Sequence, residues 1–213
     1  MNSKHPSQST VYVVDDDSSI RNSLTNLFRS ADFLVESFSS PAEFLKRNIA
    51  DVPCCMILDV RMPGSSGLDF QASLLAAGIE MQIVFLTGRG NIPMSVRAMK
   101  SGAIDFLTKP YREQDLLAAV TTAIERDCRK RETRRLTSSI RACFGTLSRR
   151  EKEAMALLAS GLMNKQVAEK MGLAEITVKI HRGNIMRKMR AKSFAELIKM
   201  SEALLLSAGA PQT

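Results

Sequence analysis

Short apolar runs alternate with amphipathic stretches through the first half of the chain. VYVV (11–14) reads as a strand and SIRNSLTNLFRS (19–30) as a helix. The order then repeats. FLVESF (33–38) precedes PAEFLKRN (41–48), CCMILD (54–59) precedes LDFQASLLAA (68–77), and QIVFLT (82–87) precedes PMSVRAMKS (93–101). IDFLT (104–108) is a fifth strand, and the helix after it begins near Arg112 and continues into charged sequence. Continuous apolar runs mark strands covered on both faces. Five such β–α units predict an α/β fold, a parallel sheet with helices on both sides.

After residue 146 the pattern is helical only. SRRE (148–151) and SFAE (193–196) have the Ser-x-x-Glu spacing of a capping box, so each opens a helix. NKQVAEKMG (164–172) and EITVKIHRGNIMRKM (175–189) read as two helices joined by a short turn at 172–174. The segment RDCRKRETRRLTSSIRACFG (126–145) has few apolar positions and many charges. It predicts a continued helix followed by a flexible stretch. Three regions follow: 10–125, a linker over 126–145, and a helical domain over 146–208.

Charge separates the same regions. The net charge is +8 over 213 residues. Residues 1–124 hold 11 Lys+Arg against 13 Asp+Glu, whereas residues 125–213 hold 19 against 9, so the whole excess lies in the second part. A basic half is a candidate polyanion binder. Apolar residues make up 45% of the chain and Trp is absent, so aliphatic side chains must build the cores. Cys54, Cys55, Cys128 and Cys143 form no metal-ligand spacing, which predicts free thiols in a reducing, intracellular compartment. The polar start lacks the apolar segment of a signal peptide, and no run approaches membrane-spanning length.

In an open parallel sheet, ligands bind outside the carboxyl ends of the strands. Asp15 and Asp16 end the first strand, Asp59 the third and Thr87 the fourth, and Lys109 follows the fifth. Three neighbouring carboxylates repel unless cations join them. Lys109 supplies one charge. Oxygen-only donors favour Mg²⁺ over zinc for the rest. A carboxylate fixed at the end of a buried strand, facing a metal and an ammonium, can accept a phosphoryl group. Asp17, next to SSI, reads instead as an ordinary helix cap.

VVDDD, LDVRMPG, FLTG and FLTKP, in that order, resemble the receiver domain of two-component response regulators over about residues 10–125. The resemblance implies a flavodoxin-like, doubly wound sheet of order 2-1-3-4-5. It makes Asp59 the acceptor of a phosphoryl group from a sensor histidine kinase. Asp15, Asp16, Asp59 and the main-chain carbonyl of Arg61 would hold Mg²⁺. Lys109 and Thr87 would bind the phosphoryl oxygens, Phe106 would follow Thr87 inward, and the Lys109–Pro110 bond would be cis. Arg61 and Arg89 occupy positions that influence phosphoryl lifetime in that family.

On a helical wheel of 175–189, Val178, Ile185 and Met189 share one side, opposite Ile176, Lys179, Ile180, Gly183 and Arg187. Lys can reach guanine acceptors and Ile a thymine methyl, so the second side suits a major groove. Gly183 costs a helix about 1 kcal/mol against Ala, and its missing side chain permits close approach. The sequence over 147–206 resembles the LuxR-type helix-turn-helix, a four-helix DNA-binding domain. By that resemblance Lys179, Ile180 and Gly183 face base edges, Lys165, Thr177, His181, Arg182 and Lys188 are phosphate candidates, and Arg187 is a further DNA-binding residue. Ala174 departs from the Ser or Thr often found before the recognition helix. Glu175 offsets part of the lost cap through the helix dipole.

The two resemblances together imply a FixJ/NarL-type transcription regulator in the cytoplasm. Its partners would be a sensor kinase, double-stranded promoter DNA, RNA polymerase and a second copy of itself, with no membrane. A phosphatase of the haloacid dehalogenase type would need an acid two residues after Asp59, where Arg61 stands. A nucleotide switch would need a GxxxxGK[ST] loop, which is absent. A DNA-binding protein indifferent to phosphorylation would not need the Asp/Thr/Lys set.

Overall fold

The computed structural model describes residues 9–88 and 92–208. Among them, five strands form one parallel sheet: β1 (Thr10–Val14), β2 (Leu34–Phe38), β3 (Cys54–Asp59), β4 (Gln82–Thr87) and β5 (Asp105–Thr108). Their order is β2-β1-β3-β4-β5, as the receiver resemblance implies. The helices between them are α1 (Ser18–Ser30), α2 (Pro41–Leu45), α3 (Gly67–Ala76) and α4 (Ile92–Lys100), and α5 (Glu113–Gly145) follows β5. Strand alternation divides the core. Val11, Val13, Cys55, Ile57, Val84 and Leu86 face one way, packed on α1 and α5 through Leu24, Phe28, Leu116 and Val120. Tyr12, Val14, Met56, Leu58 and Phe85 face the other way, on α2, α3 and α4 through Phe44, Phe70, Leu74 and Ala98.

Local chemistry sets the element ends. The Asp17 side chain caps α1 by accepting from Ser19 N at 2.8 Å. α2 stops at Leu45, three residues short of the expected end. There the N–H groups of Lys46 and Arg47 turn back to the carbonyls of Glu43 and Phe44, and the Arg47 guanidinium is drawn to Glu36 at 2.5 Å. After β3 the chain makes a small antiparallel ribbon, Arg61–Met62 with Ser65–Ser66, around Pro63–Gly64. Gly64 has φ +76°, which the turn requires at that position.

The chain divides into two compact units, one ending at Arg131 and the other starting at Glu132. This division falls inside the expected linker. The expected flexible stretch is absent, because α5 continues as helix to Gly145. Ile140, Cys143 and Phe144 pack on the core of the second unit, which gives the end of α5 an apolar anchor. In the first unit α5 is pinned by Asp127, which is 3% exposed. Its Oδ2 accepts from Cys54 N at 3.0 Å and from Arg131 Nε at 2.6 Å, and Arg131 also holds Asp51. Burial above all, and then Asp127, pushes the Cys54 thiol up to about 11, so it stays protonated.

In the second unit α6 (Arg149–Ala159), α7 (Asn164–Met171), α8 (Glu175–Met189) and α9 (Phe194–Ala208) enclose Leu147, Met155, Leu158, Val167, Val178, Ile185 and Leu197. This is the expected four-helix arrangement. Ser148 and Glu151 form the reciprocal capping box. At α9 only half of the box forms as read. Ser193 Oγ accepts from Glu196 N at 3.2 Å, but Glu196 accepts from Lys192 N, one residue earlier. Gly172, at φ +66°, closes α7 in the left-handed region. No described helix is long and apolar enough to cross a membrane.

Candidate functional site

The sheet order brings the β1 and β3 ends side by side, so Asp15, Asp16 and Asp59 meet at one rim. One oxygen from each lies within 4.8 Å of the others. They line a cavity of about 480 Å³ together with Asp17, Ile20, Arg61, Gly88 and Lys109. Lys109 Nζ is 2.8 Å from Asp15 Oδ2 and 3.7 Å from Asp59 Oδ2. Three carboxylates against one ammonium leave a deficit of two positive charges. Asp59 Oδ1 is buried and has no hydrogen-bond partner among the described residues. Burial raises the Asp59 carboxyl from its ordinary range, the Lys109 ammonium opposes that, and Asp15 adds to it. A divalent cation fits this donor set: all oxygens, one of them orphaned, in a site short of positive charge.

The other expected residues lie on β4, on β5 and in the turns that follow β3 and β5. Thr87 is fully buried at the end of β4, and its carbonyl accepts from Lys109 N at 2.7 Å. Phe106 is partly buried, with its ring 6.2 Å from that of Phe85. Arg61 is exposed and lines the cavity. The Lys109–Pro110 peptide is cis. Arg89 lies outside the described residues.

Two residues of this site escape sequence reasoning. Arg21 Nη1 donates to the carbonyls of Asp15 at 2.7 Å and Asp16 at 2.9 Å, which fixes the backbone that carries the acid pair. Gly67 lies against β3, and a Cβ there would stand 2.3 Å from the carbonyl oxygen of Asp59. The only signals were an arginine one turn into α1 and a glycine just after a tight turn.

In the second unit α8 divides as its wheel predicts. Val178, Ile185 and Met189 are buried, while Ile176 and Ile180 are 64% and 58% exposed. Lys179, Gly183 and Arg187 share the exposed side, and Lys165 is exposed near the start of α7. Lys179 is 3.1 Å from Glu175, one turn away, and Arg187 donates to Asn184. A Cβ on Gly183 would meet nothing within 4 Å, so packing within the unit does not require glycine there. Ala174 gives α8 no side-chain cap, as its identity implies.

The remaining polar residues are more engaged than the wheel suggests. Thr177 and His181 are half-buried, and His181 Nδ1 is buried without a partner among the described residues. The Arg182 guanidinium lies 4.3 Å over the Phe194 ring. Lys188 Nζ turns inward to Glu151 at 2.6 Å. This ion pair ties α8 to the start of α6.

Comparison with known proteins gives the same two units. Residues 11–121 match the family model described as response regulator receiver domain, and residues 145–201 match bacterial regulatory proteins, luxR family. Nodulation protein W of Bradyrhizobium diazoefficiens is 57% identical over 93% of this chain and 87% of its own. The transcriptional regulatory protein FixJ of Azorhizobium caulinodans is 37% identical over 97% of this chain and 96% of its own. Among solved structures, the response regulator StyR is similar with a TM-score of 0.82 at 45% identity, covering 92% of this chain and 98% of that one.

Proposed function

The chain belongs to the response regulators that join a receiver domain to a LuxR-type DNA-binding domain, and from that premise we propose that it is a transcription regulator switched by phosphorylation of Asp59. One observation carries the reading: the orphaned Asp59 oxygen in a cavity it shares with Asp15, Asp16 and Lys109. The donor is a phosphohistidine of a sensor kinase. An Asp59 oxygen attacks phosphorus as the P–N bond breaks, and the bonding pair returns to the imidazole. Lys109 stabilises charge on the transferred oxygens, the Thr87 hydroxyl donates to one of them, and Phe106 follows Thr87 inward. Asp15, Asp16, Asp59 and the Arg61 carbonyl would hold Mg²⁺, which when bound neutralises charge on the transferred group. The chain accepts one phosphoryl group rather than turning over a substrate.

Phosphorylation then shifts the α4–β5–α5 face toward self-association. Ile92, Val96 and Met99 recur along α4 at 79%, 44% and 46% exposure, an apolar stripe that supports this role. A dimer presents two α8 helices to two half-sites of promoter DNA, with Lys179, Ile180 and Gly183 at base edges. Lys165, Thr177, His181, Arg182 and Arg187 lie near the backbone. Contact with RNA polymerase converts binding into activation, and the work takes place in the cytoplasm.

The test is sedimentation and DNA binding of wild type and Asp59→Asn, each with Mg²⁺, with and without acetyl phosphate. Wild type should dimerise and bind DNA more tightly with the donor, and Asp59→Asn should not respond. Equal DNA binding by both proteins, unchanged by the donor, refutes a phosphoryl switch.

A further inference from the structure

We propose that the receiver unit has a second site, for a small apolar acid that also carries a hydrogen-bond donor, such as a short branched hydroxy acid. The site is a cavity of about 370 Å³ at the start of β4, the sheet end opposite the acidic rim. Its size falls within the roughly 300–1,000 Å³ of small-molecule pockets and far exceeds the roughly 30 Å³ of one water. Three features define the occupant.

The first is Gln71 of α3, only 3% exposed. Its Nε2 donates to the Ser101 carbonyl at 3.1 Å, which fixes the orientation of the amide and leaves Oε1 as the free atom. Oε1 is buried without a hydrogen-bond partner among the described residues and needs a donor. The second feature is charge. Lys130 is matched by Glu80 at 2.5 Å, while Arg126 lines the same cavity and has no ion pair among the described residues. The lining is therefore one positive charge in excess, which selects an anion. The third is the apolar wall of Leu74, Ile79 and Met81, which accepts a branched aliphatic body. A carboxylate on Arg126 and a hydroxyl donating to Gln71 Oε1 satisfy both polar groups at once. Phosphate or acetate would leave the wall and the amide unmatched.

The site stands apart from the chemistry at Asp59, so it is tested on the full chain in wild-type and Asp59→Asn forms alike. The probe is 2-hydroxy-4-methylpentanoate, followed by shifts of the backbone amide resonances of Ile83 and Gly102, residues that line the cavity and persist in every variant. A saturable shift is expected, identical in both forms. Arg126→Ala should weaken binding about tenfold, and 4-methylpentanoate, which lacks the hydroxyl, should bind about tenfold more weakly, each the loss of one hydrogen bond to a charged or buried partner. Gln71→Met serves as a variant of similar volume and should lose the preference for the hydroxyl while keeping the fold. No saturable shift, equal binding of the two acids to wild type, or unchanged affinity in Arg126→Ala overturns the proposal and leaves a water-filled cavity.

Discussion

Replacing Glu151 with Gln will lower the stability of the helical unit by about 2 kcal/mol near neutral pH, and acid will do the same to the wild type. Glu151 Oε2 accepts from Ser148 N at 2.7 Å and from Lys188 Nζ at 2.6 Å. The residue is 4% exposed, so these bonds form with little competing water. Lys188 first, then the Ser148 N–H, hold the carboxyl down from 4.5 to about 2, against the effect of burial. At 1.36 kcal/mol per tenfold change, that difference corresponds to about 3 kcal/mol. Lys188 is 33% exposed, so solvent screening reduces the figure to about 2 kcal/mol. The folded carboxyl titrates below its unfolded counterpart. Its contribution is therefore complete above about pH 5 and lost as pH falls toward 2. The chain offers a convenient assay. It has no Trp, and both of its tyrosines, Tyr12 and Tyr111, lie in the receiver unit. Tyrosine fluorescence in urea thus follows the receiver, while far-UV circular dichroism also follows the helical unit. Glu151→Gln should lower the midpoint of the helical transition by about 1–2 M urea and leave the tyrosine transition in place. Wild type at about pH 3 should approach the variant. Equal helical midpoints near pH 7, or a wild-type midpoint that does not change between about pH 6 and 3, would refute this account.

Four further outcomes follow from the structure. Gly67→Ala should cost the receiver about 1–3 kcal/mol by overpacking against the Asp59 carbonyl, and should slow phosphorylation by acetyl phosphate; a tyrosine-detected urea midpoint equal to wild type contradicts the close approach. Asp127→Ala should cost about 2–4 kcal/mol, because it strands the Cys54 N–H and one bond of Arg131, with the same fluorescence titration as the check. Mg²⁺ at about ten times its dissociation constant should stabilise the receiver by about 1.4 kcal/mol, EDTA should reverse this, and Asp16→Ala should show neither effect. Lys179→Ala should relax base preference in a panel of DNA sites, whereas Lys165→Ala should reduce the log–log salt slope of binding by about 1 without changing preference.

Much of this molecule can be read from its own chain. Apolar runs such as 54–59 mark strands buried on both faces. The spacing of Val178, Ile185 and Met189 marks the inner side of α8, and Ser148 and Glu151 mark where α6 begins. These are properties of single elements, and the periods of 2 and 3.6 report them directly. The acidic rim was legible for a related reason: in a parallel sheet every strand ends on the same side, so residues at strand ends converge whatever their separation in sequence. Pairings between elements were not legible, because periodicity tells which side of an element is inside but not which atom it meets. Only the tertiary structure joins Cys54 to Asp127 across 73 positions, sets Arg21 on the carbonyls of the acid pair, brings Gly67 against Asp59 and turns Lys188 inward to Glu151. The same limit hid the end of α5. Its charge pattern looked like a solvated linker, yet Ile140, Cys143 and Phe144 form a short apolar edge that becomes a helix anchor only when a second core stands ready to cover it.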